Sequence, residues 1–114
     1  MKKITKATVN SIIKNGGATI NARGERVVLR SGYQVSERDL LIIAVAEFNK
    51  NHITNAMNEL TTRGQYVGVW VDNGLVYVDI SHRVSTKKEA LRRGKILNQL
   101  SILSWKSGEC VAVR

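Results

Sequence analysis

A chain of 114 residues is one domain of ordinary size, long enough to bury a core without cross-links. A hydrophobic fraction of 43% argues against wholesale disorder, the single Cys110 excludes an internal disulfide framework, and the longest apolar run, Leu40 to Ala46, is too short to span a bilayer. Lys and Arg total 18 against 9 Asp and Glu, and the formal net charge of +9 biases partners toward polyanions, above all nucleic acid or a nucleoprotein.

The basic start Met1-Lys2-Lys3 is not followed by an apolar run of signal length, so a soluble protein of the host cytoplasm with no membrane partner is expected. Thr5 to Asn15 reads as a short helix. Val9, Ile12 and Ile13 form its apolar stripe, and Gly16-Gly17 stops it. Ala18 to Asn21 and Arg26 to Arg30 read as two short strands around a turn at Gly24. After a turn at Ser31-Gly32, Tyr33-Gln34-Val35 is extended. Ser36 to Phe48 fits two patterns. Ser36 with Asp39 resembles a helix start, whereas the Ile and Val content of Leu40 to Ala46 favours a strand buried on both faces. Ile53, Ala56, Met57 and Leu60 fall at helical spacing, which predicts an amphipathic helix over Asn49 to Arg63, ended by Gly64.

Tyr66 to Ser81 is the clearest element. Asn73-Gly74 between two apolar runs is a strong hairpin signal, and a two-residue loop sets the register. Trp70 then faces Tyr77 and Gly68 faces Asp79. Alternation puts Val67, Val69, Val71, Val76, Val78 and Ile80 on one face. The other face carries Tyr66, Gly68, Trp70, Asp72, Leu75, Tyr77, Asp79 and Ser81. Thr86 with Glu89 forms a capping box for a third helix reaching about Asn98, with Ala90, Leu91, Gly94 and Leu97 inward. Leu100 to Trp105 and Cys110 to Val113 make a second hairpin, with Cys110 as a small apolar filler. The expected fold class is α+β: a single domain over residues 1–114, with antiparallel β-hairpins forming a sheet and three short helices.

Two regions carry candidate binding residues. On the third helix, Lys88, Arg92 and Lys95 lie along one side, with Arg93 on another side near Glu89; such a row of cations can follow a phosphate backbone. Arg26 and Arg30 share strand parity and form a second basic group. On the hairpin, Tyr66, Trp70 and Tyr77 suit stacking on unpaired bases or anchoring a protein partner, unless a helix covers that face and makes the rings core. Catalytic and cofactor signatures are not found. His52 and His82 lack metal-ligand spacing with Cys110, and no Walker loop or dinucleotide fingerprint is present. A metal-dependent nuclease would need Asp72 and Asp79 to converge, but their places on paired strands keep them apart.

Gly16-Gly17-Ala18-Thr19, Gly32-Tyr33-Gln34-Val35-Ser36, the run Gly68 to Ser81, Ala90 and Asn98-Gln99 together resemble small uncharacterised accessory proteins of phages and integrated elements of Gram-positive bacteria. Similar proteins often have an acid just before the aromatic near the end, where this chain has Ser104 before Trp105. The resemblance implies a mobile-element accessory protein and carries over no catalytic residue. The combined expectation is a non-enzymatic basic binding protein of phage or mobile-element type that docks nucleic acid or a nucleoprotein. Such a source fits an inhibitor of host machinery, for instance a CRISPR effector with its polyanionic loaded guide channel. The alternative is a protein–protein module or homodimer using the Trp70/Tyr77 face.

Overall fold

The computed structural model describes residues 3–97, 99 and 101–113. Among them the chain forms helix α1 (Lys6–Asn15), strands β1 (Gly17–Ile20) and β2 (Tyr33–Ala44), a 3-10 turn (Val45–Glu47), helix α2 (Lys50–Met57), strands β3 (Gln65–Asp72) and β4 (Leu75–Val84), helix α3 (Lys87–Ile96), and strands β5 (Ser101–Ser104) and β6 (Cys110–Ala112). The strands make one antiparallel sheet in the order β1-β3-β4-β2-β5-β6. This is the expected α+β domain.

Local chemistry starts and stops the helices. The Thr5 hydroxyl accepts from the Thr8 amide at 3.2 Å, and Gly16, at φ 86°, closes α1 by donating to the Ile12 carbonyl. Asn49 caps α2. Its amide donates to His52 Nδ1 at 3.0 Å, and the His52 ring stacks on Phe48. This helix ends at Met57, well before the expected Arg63. Gln65 Oε1 captures the amides of Thr61 and Thr62, so the chain turns while Leu60 still packs on the core. Thr86 caps α3 through the Glu89 amide; the expected end at Asn98 lies outside the described residues.

The β3–β4 register is the one a two-residue Asn73-Gly74 loop requires, with Trp70 opposite Tyr77 and Gly68 opposite Asp79. Leu40 to Ala44 belongs to a strand, but not to one buried on both faces. Ile42 is 58% exposed, because the helices pack on only one side of β2. Strand β2 carries two extra residues, Glu37 and Leu40, where its pairing with β4 shifts register. Bulges of this kind bend and twist a strand.

Two apolar clusters lie on the same side of the sheet. Val9, Ile12, Ile53 and Met57 from α1 and α2 close over Val67, Val69, Val76 and Val78, while Ala90 of α3 packs with Val35, Val84 and Ile102. Gly94 lets α3 approach closely, since a Cβ there would come 2.9 Å from Val113. Two further expectations are corrected. Arg26 to Arg30 is not a strand: only Arg26 bridges to Ile20, and the Val27 amide donates to the Thr19 carbonyl before the chain leaves the ladder. Its residues therefore have no strand parity, and the argument that Arg26 and Arg30 face the same way lapses. Cys110 is exposed rather than a core filler, because β6 is an edge strand and, of its three residues, only Val111 turns toward the core.

Candidate functional site

Strand alternation places Thr19, Gln34, Ser36, Tyr66, Gly68, Trp70, Tyr77, Asp79, Ser81 and Leu103 on the side of the sheet away from the clusters. None of the described helices packs on it. The sheet instead curls, and segment 26–28 leans across. Consequently Thr19 on β1 and Leu103 on β5 line the same pocket, although three strands separate β1 from β5. The pocket measures about 290 Å³ and is walled by Trp70, Trp105, Leu103, Val27 and Val28, with the Gly16–Gly17 backbone at one end. Trp70 sits against β1 because Gly17 has no side chain. A Cβ there would lie 2.6 Å from the Val69 carbonyl oxygen and 3.4 Å from the Trp70 ring. Arg26 also lines the pocket, and its guanidinium donates to Ser11 Oγ at 2.8 Å.

Below these rings the curled face is polar. Trp105 Nε1 donates to Gln34 Oε1 at 3.0 Å, and Gln34 Nε2 donates to Ser81 Oγ at 2.8 Å. Thr19, Gln34, Asp79 and Ser81 are all buried. Asp79 is 7% exposed, and neither its Oδ1 nor the nearby Ser36 Oγ has a well-aligned hydrogen-bond partner. Burial pushes the Asp79 carboxyl up to about 7, and the charge of Asp39 directly opposite adds to the rise. The Ser36 hydroxyl and the Gly68 amide pull it back only in part. Gly68 is required here, since a Cβ would come within 2.3 Å of Asp79 Oδ1.

The α3 cations lie elsewhere. Ala90 and Gly94 face inward, so Lys88, Arg92 and Lys95 point away from the sheet on its helix-covered side. Arg92 and Arg93 are both engaged by Glu89, with Arg92 Nε at 2.9 Å and Arg93 Nε at 3.1 Å. These bonds hold the Glu89 carboxyl down at about 2 and raise Arg92 further. Among the described residues Lys88 and Lys95 carry no ion pair. A second cleft, of about 380 Å³, lies beside Arg92 and Arg93 and is lined by Glu37 and His82. Arg93 Nη1 lies 3.1 Å from His82 Nε2; an arginine only donates, so a neutral ring accepts there and carries its proton on Nδ1, which lies 2.8 Å from Glu37 without a well-aligned hydrogen bond. Burial lowers the pKa of His82, Glu37 opposes this, and Arg93 adds to it.

The structure therefore does not bring the expected residues to one surface. Trp70 and Tyr77 are half-buried on the curled face with Tyr66, Arg26 lines the pocket there, and Arg30 is exposed beyond segment 26–28, outside the pocket lining. Lys88, Arg92, Arg93 and Lys95 sit behind the sheet. Asp79, expected on the recognition surface, is buried; Asp72, on the same face, is exposed at the hairpin end. Among the described residues no group of three His, Cys, Asp or Glu gathers to hold a metal ion, and no helix is long and apolar enough to cross a membrane. Sequence reasoning missed Trp105 and Gln34 as site residues. The available signal was the shared open-face parity of Gln34 with Tyr77 and Asp79, which depends on the β2–β4 pairing. Comparison with protein-family models, with curated proteins and with solved structures returns no match.

Proposed function

We propose that this chain is a non-enzymatic basic binding protein, of phage or mobile-element type, that docks nucleic acid or a nucleoprotein through the curled open face of its sheet. One observation carries the reading: a pocket walled by two tryptophans and bordered by Arg26, on a chain with a formal net charge of +9. Excess cations draw a polyanion to the surface, and aromatic rings hold unpaired bases with little regard to sequence. A loaded CRISPR effector is one host target with this chemistry. Binding of single- and double-stranded DNA and RNA across a salt series tests the reading. The logarithm of affinity should fall linearly with the logarithm of salt concentration, and a flat response overturns it.

One observation favours a second reading, a protein partner or a second copy of this chain. Ile42, Tyr77 and Trp70 form a row across β2, β4 and β3, with exposed Leu75 beside them. Aromatic and aliphatic side chains in such a row are common anchors of protein interfaces. Under this reading Ile42→Asp abolishes a complex that is insensitive to salt.

A further inference from the structure

Resting on the nucleic-acid reading above, we infer that the Trp70–Trp105 pocket receives one unpaired base, with its phosphate at Arg26, so that the ligand is a single strand rather than a duplex. A volume near 290 Å³ falls at the lower end of ligand pockets, the size of one planar ring system rather than an extended chain. Its walls are the two indoles, Leu103, Val27 and Val28, flat or apolar surfaces that suit the faces of a heteroaromatic ring. Its polar members are Asn15, Thr19 and Arg26, together with the backbone of Gly16 and Gly17. These can meet a base edge and a phosphate oxygen. Trp105 is held in place by Gln34, which is itself held by Ser81, so this wall is set before any ligand arrives. Bases inside a duplex are stacked and cannot enter such a pocket without being extruded, which costs a few kcal/mol per base.

Both tryptophans of the chain line this one pocket, so intrinsic tryptophan emission reports its occupancy directly. The probes are an oligothymidylate of about eight nucleotides, the same length annealed to oligoadenylate, and an abasic oligomer of equal charge. The single strand should quench the emission saturably and bind at least about 10-fold more tightly than the duplex. Trp70→Ala should weaken the single strand by about 5- to 100-fold and leave the abasic oligomer unchanged. Trp70→Phe keeps an aromatic ring at the position opposite Tyr77 and should recover most of the loss, which separates stacking from misfolding. Salt-dependent binding in which all three oligomers are equal and none quenches overturns the pocket assignment but leaves the nucleic-acid reading standing. No binding by any of them removes both. A concentration-dependent change in emission without oligomer, accompanied by dimer in sedimentation, gives the pocket to a second copy and overturns the inference.

Discussion

On one side of the sheet Val67, Val69, Val76 and Val78 disappear beneath α1 and α2; on the other, their immediate neighbours Gly68, Trp70, Tyr77 and Asp79 line a curled surface that α1 reaches only at its end, through Asn15 at the pocket rim. The two sides are alternate residues of the same strands, yet they are buried by different means. The first is closed by helices, so only volume and apolarity matter there. The second is closed by the bend of β2 and by segment 26–28, so polar groups such as Gln34, Ser81 and Asp79 are enclosed with the aromatic rings. Burial without a helix leaves a pocket, and it also leaves Asp79 Oδ1 and Ser36 Oγ without well-aligned partners.

Substitution at the helix-covered side should have the largest effect on stability. Ile12 and Ile53 are fully enclosed, and either Ile→Ala change should lower unfolding free energy by about 2–5 kcal/mol in urea titrations; Tyr77→Ala on the open side should cost clearly less. Equal losses would erase the distinction between the two sides.

Acidity should separate them next. Asp79 holds its proton in the folded state up to about 7, whereas the unfolded chain releases it near 3.8. The folded state therefore binds more protons between these values, and stability should fall as pH rises from about 4 to about 7, by on the order of a few kcal/mol. Asp79→Asn should flatten that slope in thermal or urea unfolding, and a slope that persists in the variant would show that other groups produce it.

The fit of Gly68 beneath Asp79 sharpens the same comparison. Gly68→Ala should destabilise by about 1–3 kcal/mol, because its Cβ collides with the carboxylate, and Asp79→Ala in the same chain should recover most of that loss. Without recovery in the double variant, the contact is not the cause. The smallest effect concerns ligand. Lys88→Ala with Lys95→Ala, behind the sheet, should change nucleic-acid affinity by about 2-fold or less, whereas Arg26→Ala should reduce the salt slope by about one. The reverse result would move the binding surface to α3.

Much of this was readable from local rules. The Asn73-Gly74 loop determined the hairpin register because two residues leave one way to pair the flanking strands. The alternation in those strands named the core valines, and Thr5, Gly16 and Thr86 marked helix ends through hydrogen bonds spanning only a few residues. The short α2 was not readable, because Gln65 competes for the Thr61 and Thr62 amides only after the chain has turned. The spacing already put Arg93 near Glu89; the structure adds that Arg92 shares the same carboxylate.

By itself, then, the sequence determined which side chains share a strand face, where the turns fall and how strongly the molecule attracts anions, since alternation, turn chemistry and net charge act within a few residues or need only a sum. Tertiary structure alone decided that α3 carries its cations behind the sheet, that Asp79 is enclosed, and that Trp105 joins Trp70 around one pocket. Those outcomes depend on the two bulges in β2 and on the curl they accompany, which bring β1 and β5 to the walls of a common pocket across three intervening strands.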